Sequence, residues 1–295
     1  MTDAVLEIDR ISKRFGVVTA LADVSVTVPA GELVGLGGAP GSGRTTTIRI
    51  GAGVLAADSG RVRWRSAPID PATRRRIGYL PARGGLYPEL TVVDQLVHRA
   101  ELHGFDTNEA HQQAQRWLDR LGIRRLRARR TRSLDVDHRR LLALVATLLP
   151  GPELVLLDEP FTGVSRPVVE QLIGLLREHA TIGVPVLLSS NDLDLIEQHC
   201  DRAAILRKGQ ILAGGTITEL LAGAPRLFRI DAPGWDNRVP GCRTVEVDGS
   251  RMLLELDDDA DDQAVLNAAL ADGPVYEFTR VRRSLAERFD EAGPS

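Results

Sequence analysis

The sequence predicts an α/β protein organised around a parallel sheet, followed by a smaller α+β domain. Three observations carry that prediction. Residues 35–47 read Gly-Leu-Gly-Gly-Ala-Pro-Gly-Ser-Gly-Arg-Thr-Thr-Thr, a glycine-rich turn between an apolar run and a stretch of helical spacing. The run from Glu153 to Leu157 is continuously apolar, as in a strand covered on both faces, and it ends in Asp158-Glu159-Pro160. Beyond it, strand-length apolar runs alternate with helical segments, the pattern of a parallel sheet with helical crossovers.

Taken in order, short β-rich runs at about 4–10, 23–28 and 32–37 are separated by turn signals such as Pro29-Ala30-Gly31. The third run feeds the glycine segment, and a helix is expected at about 44–53. Residues 91–122 and 137–149 have helical spacing and predict a helical insertion over about 91–150. After the Glu153–Leu157 strand come a helix (about 166–180), a strand (184–190), a helix (192–200) and two short strands near 203–214. The character changes after Gly223-Ala224-Pro225, so the expected domains are 1–222 and 226–295. The second reads β, β, β, helix (about 261–271), β (274–280), helix (283–291), with the acidic run Asp257 to Asp262 as a solvated turn and helix start.

Composition narrows the class. A chain of 295 residues with 43% hydrophobic and 26% charged content is ordinary for a globular protein. A net charge of −3 gives no global attraction for nucleic acid, and the three tryptophans are too dispersed to make a base-stacking platform. The run Arg124, Arg125, Arg127, Arg129, Arg130, Arg132 reads as a solvated helix end and loop, or as a contact for an anionic surface; no nucleic-acid partner is expected. Cys200 and Cys242 are too few for a disulfide framework, which points to reduced thiols in a cytosolic compartment. The longest apolar stretch, Leu141 to Leu149, is too short to span a bilayer.

The chemistry sits in two motifs. The phosphate-loop pattern G-x-x-x-x-G-K-[ST] is filled by Gly38, Ala39, Pro40, Gly41, Ser42, Gly43, Arg44 and Thr45, with Thr46 following. Glycines let backbone N–H groups turn inward around phosphate oxygens at the start of a helix. Arg44 keeps the charge of the usual lysine, but its planar fork is expected not to fit the same small space. Because Lys13 and Lys208 are the only lysines, Arg44 has two possible origins, compositional drift or selection at the site. Asp158, 114 residues further on, is placed at a strand end to hold Mg²⁺ with the hydroxyl of Thr45. Glu159 beside it is placed to polarise an attacking water.

Together these residues resemble the ATP-binding subunit of an ABC transporter over residues 4–222. Lys13-Arg14-Phe15-Gly16 is similar to the family's A-loop, which implies that Phe15 stacks on adenine. Arg76 to Pro81, followed by Gly85 to Val92, is similar to the Q-loop region, and Leu187 to Leu193 to the switch-histidine segment. Residues 226–295 resemble, more loosely, the C-terminal domain of drug-export ATPases of the daunorubicin-resistance type. The resemblance implies a P-loop NTPase cassette with an antiparallel β subdomain and a helical insertion, with ATP and Mg²⁺ as cofactors. It also implies a membrane-spanning partner subunit and a homodimer or heterodimer with a second cassette, at the inner face of the cell membrane.

Five positions depart from the family pattern. Arg44 replaces the lysine, Ala82 the Q-loop glutamine or glutamate, Ser165 the D-loop aspartate and Asn191 the switch histidine. The signature Leu-Ser-Gly-Gly-Gln falls on Leu134, Asp135, Val136, Asp137 and His138. Its two carboxylates are expected to point at the polyanion bound by the opposite subunit. Each lost acid, base or water-orienting group costs about 10²–10⁴ in rate, without simple multiplication. The sequence therefore predicts an exporter's ATP-binding subunit whose own turnover is weak or lost; the rival reading is a non-catalytic, nucleotide-responsive regulatory or assembly module.

Overall fold

The computed structural model describes residues 5–222, 226–257, 259–281 and 284–290. Ala4, Gly223-Ala224-Pro225, Asp258, Arg283 and Glu291, which fall within the sequence reading, lie outside them. The chain divides into two compact units, Met1–Ile217 and Thr218–Ser295.

The first unit opens with two long strands, β1 (Leu6–Phe15) and β2 (Val18–Val28), paired antiparallel from Leu6↔Val28 to Phe15↔Val18. Then come β3 (Leu33–Gly37), α1 (Arg44–Gly51), β4 (Ser59–Trp64), β5 (Ala67–Pro68), α2 (Pro71–Arg74) and β6 (Ile77–Leu80). The insertion holds α3 (Val92–Glu101), α4 (Thr107–Arg120) and α5 (Val136–Leu148). It is followed by β7 (Leu154–Leu157), α6 (Arg166–Thr181), β8 (Val186–Ser190), α7 (Leu193–His199), β9 (Arg202–Arg207) and β10 (Gln210–Thr216).

These strands form two sheets. One is antiparallel, in the order β2-β1-β4-β5; the other has the order β10-β9-β3-β8-β7-β6, parallel except where β10 turns back on β9. Every residue of β3, β7 and β8 is buried, which is why those segments read as unbroken apolar runs instead of alternating ones. Leu6, Ile8, Val24 and Val28 from the antiparallel sheet share a core with Leu36, Leu154, Leu156 and Leu187 from the parallel one.

The first two strands outrun the expected 4–10 and 23–28, and β4, β5 and α2 carry no sequence-based expectation. The reason is local. β4 is Ser-Gly-Arg-Val-Arg-Trp, where Gly60 at φ +83 leaves an alternation only four residues long. Trp64 nevertheless anchors it, buried and covered by the Arg65 and Arg76 guanidinia at 4.8 and 5.0 Å from its ring. Both arginines pair with Glu153 just before β7, tying the edge of the antiparallel sheet to the parallel one. In the arginine run, Arg130 and Arg132 converge on Glu89, and Arg124 lies 3.4 Å from Asp119.

The second unit opens with α8 (Ile217–Leu221). Strands β11 (Arg226–Asp231), β12 (Cys242–Asp248) and β13 (Arg251–Leu256) precede α9 (Asp262–Asp272), β14 (Glu277–Val281) and α10 (Leu285–Asp290). The sheet order is β12-β13-β11-β14, all antiparallel. Phe228, Ile230, Met252, Leu254 and Leu256 pack with Val265 and Ala269 of α9, and Trp235 closes this core. Asp261, in the acidic run, caps α9 by accepting from the Gln263 N–H at 2.9 Å.

Candidate functional site

The glycine segment lies where β3 meets α1, and its geometry follows from its glycines. Gly38 has φ +142, and a Cβ there would stand 2.2 Å from the Leu206 carbonyl oxygen and 2.9 Å from Ser42 Oγ, so only glycine fits. Gly43, at φ +110, starts α1 with no side-chain cap. The tip of the loop, Ala39, Pro40 and Gly41, faces solvent, while Ser42 and Arg44 are buried and Thr45 and Thr46 half-buried. Ser42 Oγ is buried without a hydrogen-bond partner. Uncapped N–H groups at a helix start, with an orphaned hydroxyl among them, are the equipment of an anion site.

Arg44 does not leave the loop for lack of room. Its guanidinium is 8% exposed and held by three acceptors. Nη1 donates to the Gly38 carbonyl and, at 2.7 Å, to the Ser190 carbonyl at the end of β8; Nη2 donates to Glu159 Oε1 at 2.6 Å. Burial pulls the Arg44 pKa below its ordinary value, against the opposing pull of Glu159 and Asp158. Removing one partner from such a pair strands a buried charge, which typically costs about 3–5 kcal/mol.

Asp158 and Glu159 follow β7. The register Leu157↔Leu188 sets Asp158 beside Ser189 of β8, whose hydroxyl donates to Asp158 Oδ1 at 2.8 Å. Thr45 Oγ1 donates to the same oxygen at 3.0 Å. Asp158 is fully buried, yet Oδ2 has no partner. A hydroxyl and a carboxylate with a spare buried oxygen form a donor set of the kind a hard divalent cation takes.

Glu159, placed by the sequence to polarise an attacking water, has partners on both carboxylate oxygens. Its carboxylate receives Arg44 on Oε1 and the Thr162 hydroxyl on Oε2 at 3.0 Å. Its N–H is 2.9 Å from Ser189 Oγ, and its carbonyl accepts from Arg140. Arg140, which the motif reading missed, also donates to the carbonyls of Pro160 at 2.8 Å and of Pro81 and Ala82 at 3.3 Å. Burial lowers the Arg140 pKa, against Asp158 and Glu159. Its place two residues after the signature-equivalent segment was the available signal. Ser189, also missed, was signalled by a hydroxyl closing an otherwise apolar strand.

The remaining positions divide. Ala82 meets this site only through its carbonyl, and Asn191 is exposed after Ser190. Phe15 is half exposed at the end of β1, with Lys13 Nζ 5.8 Å from its ring centre. In the signature-equivalent segment Leu134 is buried and Val136 exposed. Within this chain the two carboxylates bind their own backbone and side chains. Asp135 caps α5 by accepting from the His138 N–H at 2.8 Å, with His138 Nδ1 also at 2.8 Å. Asp137 accepts from the Ser165 N–H at 2.8 Å and the Ser165 hydroxyl at 2.5 Å. A helix start and a neighbouring turn supply unpaired donors close by, and these are what carboxylates satisfy first.

A glycine loop between β3 and α1, an acidic pair after β7 and an antiparallel sheet beside the parallel core define a P-loop NTPase of the ATP-binding-cassette class. The profile of the family described as ABC transporter matches residues 21–162. The chain is 34% identical over 215 residues to the ABC transporter ATP-binding protein YhaQ of Bacillus subtilis, covering 73% of this chain and 72% of that one. It is 30% identical to the lipopolysaccharide export system ATP-binding protein LptB of Escherichia coli (74% and 93% covered). It is 28% identical to the linearmycin resistance ATP-binding protein LnrL of Bacillus subtilis (78% and 75% covered). A solved ATP-binding subunit of an ABC transporter superposes with a TM-score of 0.68 at 28% identity, over 75% of this chain and 95% of that one. The chain belongs to the ABC transporter ATP-binding proteins and is an ATP-binding subunit. Among the described residues, no helix is long and apolar enough to cross a membrane.

Proposed function

We propose that this subunit serves an exporter, engages a separate membrane-spanning subunit from the inner face of the cell membrane, pairs with a second cassette, and hydrolyses ATP at its own loop slowly or not at all. The observation that carries the last point is the Arg44–Glu159 pair: the residue suited to polarising water is held at 2.6 Å by the residue suited to the phosphates. Ala82 and Asn191 add to it, since a methyl group orients no water and an amide takes up no proton. The export reading is supported by the likeness to LptB and LnrL, named for lipopolysaccharide export and linearmycin resistance. The drug-exporter resemblance of residues 226–295, taken as an accessory domain to the cassette of 1–222, points the same way.

In this reading Phe15 offers a ring to adenine, and Gly38 to Thr46 cradle the phosphates with backbone N–H groups. Thr45 and Asp158 hold Mg²⁺, the spare Oδ2 of Asp158 being the free ligand position. The ion would offset phosphate charge when bound. Calorimetric titration with ATP and Mg²⁺ should give binding at millimolar or lower ATP; an absence of heat sinks the assignment. Steady-state phosphate release should stay well below about 1 s⁻¹, the lower end of ordinary enzyme turnover. A rate at or above that overturns the weak-hydrolysis reading.

The rival, a non-catalytic regulatory module, is favoured by one observation: Asp135 and Asp137 are engaged within this chain. An export assay with Glu159→Gln separates the two, since export that fails with this variant favours the motor.

A further inference from the structure

We infer that Arg44 is a specificity-determining residue that makes this loop take a nucleoside diphosphate in preference to the triphosphate. The inference rests on the nucleotide-binding reading above and deepens it. In the loop pattern the basic residue reaches the outer phosphates. Here its guanidinium joins three acceptors: the Gly38 carbonyl of the loop, the Ser190 carbonyl ending β8, and the Glu159 carboxylate after β7. Those are the three walls that would surround the outermost phosphate.

Both Nη1 hydrogens are directed to carbonyls and one Nη2 hydrogen to the carboxylate, which leaves Nε–H and one Nη2–H for an anion. The charge itself is cancelled in place, because the two side chains are only 9% and 18% exposed and 2.6 Å apart. A third phosphate therefore meets a neutral, buried pair. It must displace Glu159 as the partner of Arg44, leaving a carboxylate beside its own oxygens, or stand against that carboxylate unmatched. Either way the triphosphate loses what a free ammonium would supply.

The inner phosphates meet no such obstacle. Their donors are backbone N–H groups of the loop and the start of α1, which Arg44 does not occupy. Gly41, at φ +83, has open space where a Cβ would stand, and Ser42 Oγ is buried with no partner of its own. The site is thus complete for two phosphates and obstructed for the third.

Calorimetry on the full chain, with Mg²⁺ and either ADP or the non-hydrolysable β,γ-imido analogue of ATP, tests this. ADP should bind about tenfold or more tightly than the analogue, a difference well within calorimetric reach. Arg44→Lys should remove or reverse the preference, because a single ammonium nitrogen does not span the Ser190 carbonyl and Glu159 as Nη1 and Nη2 together do, and it is freed for the outer phosphate. Glu159→Gln, which keeps an acceptor and drops the charge, should raise analogue affinity and leave that for ADP within about twofold. A cooperative thermal transition above the titration temperature would show that both variants remain folded. The inference is overturned if the native chain binds the analogue more tightly than ADP, or if the preference survives both substitutions. Absence of heat with either nucleotide is a different failure, one that removes the nucleotide-binding reading itself.

Discussion

Glu159 sits at φ +50, a left-handed backbone that a residue with a Cβ adopts at a cost of order 1–3 kcal/mol. Its surroundings over-determine it, since N–H, carbonyl and both carboxylate oxygens have partners. Asp135 is a second residue whose role is defined by what it binds. Its carboxyl is held below the usual carboxylate range, first by the His138 backbone N–H and then by the imidazole. The charged form is thus the one the folded state favours, and its contribution is whole above the carboxylate titration range. It is lost as pH falls through the depressed folded value. Asp135→Ala should cost roughly 1 kcal/mol near neutrality, as N-cap deletions do. Denaturant unfolding should find native and variant chains converging in acid; a gap that persists there would mean that the cap is not responsible. The spacing of Asp135 to Asp158 points to a signature position and a distant phosphate. The aspartate-to-N3 distance that defines a cap was equally present.

Among the elements, α5 carries a half-buried side chain that reaches both loops flanking the parallel strands. Arg140 joins the Pro81 and Ala82 carbonyls after β6 to the Glu159 and Pro160 carbonyls after β7. Arg140→Ala strands these acceptors and should lower stability by roughly 2–3 kcal/mol, the range for hydrogen bonds to a charged donor. Arg140→Lys should recover little of it, because an ammonium lacks the planar fork. Urea midpoints for the two variants check both statements, and a full rescue by lysine would contradict the fork argument. The strands β3, β7 and β8 were legible because burial on both faces leaves unbroken apolar runs. β4 was not, because its alternation lasts only from Arg61 to Trp64, behind Ser59-Gly60. The partners of Arg140, Ser189 and Arg44 were illegible for a shared reason: each contact crosses strands that neighbour in space and not in sequence.

For the whole molecule, the second unit offers a test of domain independence. Its core is small, built on Phe228, Ile230, Trp235, Met252, Leu254, Leu256, Val265 and Ala269. Residues 226–290 expressed alone should unfold cooperatively but with only a few kcal/mol of stability, as expected for a domain of this size. Trp235 is the sole tryptophan of that fragment, so its emission reports the transition directly. A non-cooperative drift in emission would show that the fragment needs the cassette to fold. Electrostatics on this scale returns to Arg44. The chain carries a net charge of −3, and the one strong cation in the phosphate loop is already matched by Glu159. An incoming nucleotide is therefore not drawn in from a distance; it must reach the backbone N–H groups before anything attracts it. Capture here is a matter of encounter frequency, nearly indifferent to ionic strength, where an unmatched lysine would have made it fast and salt-sensitive.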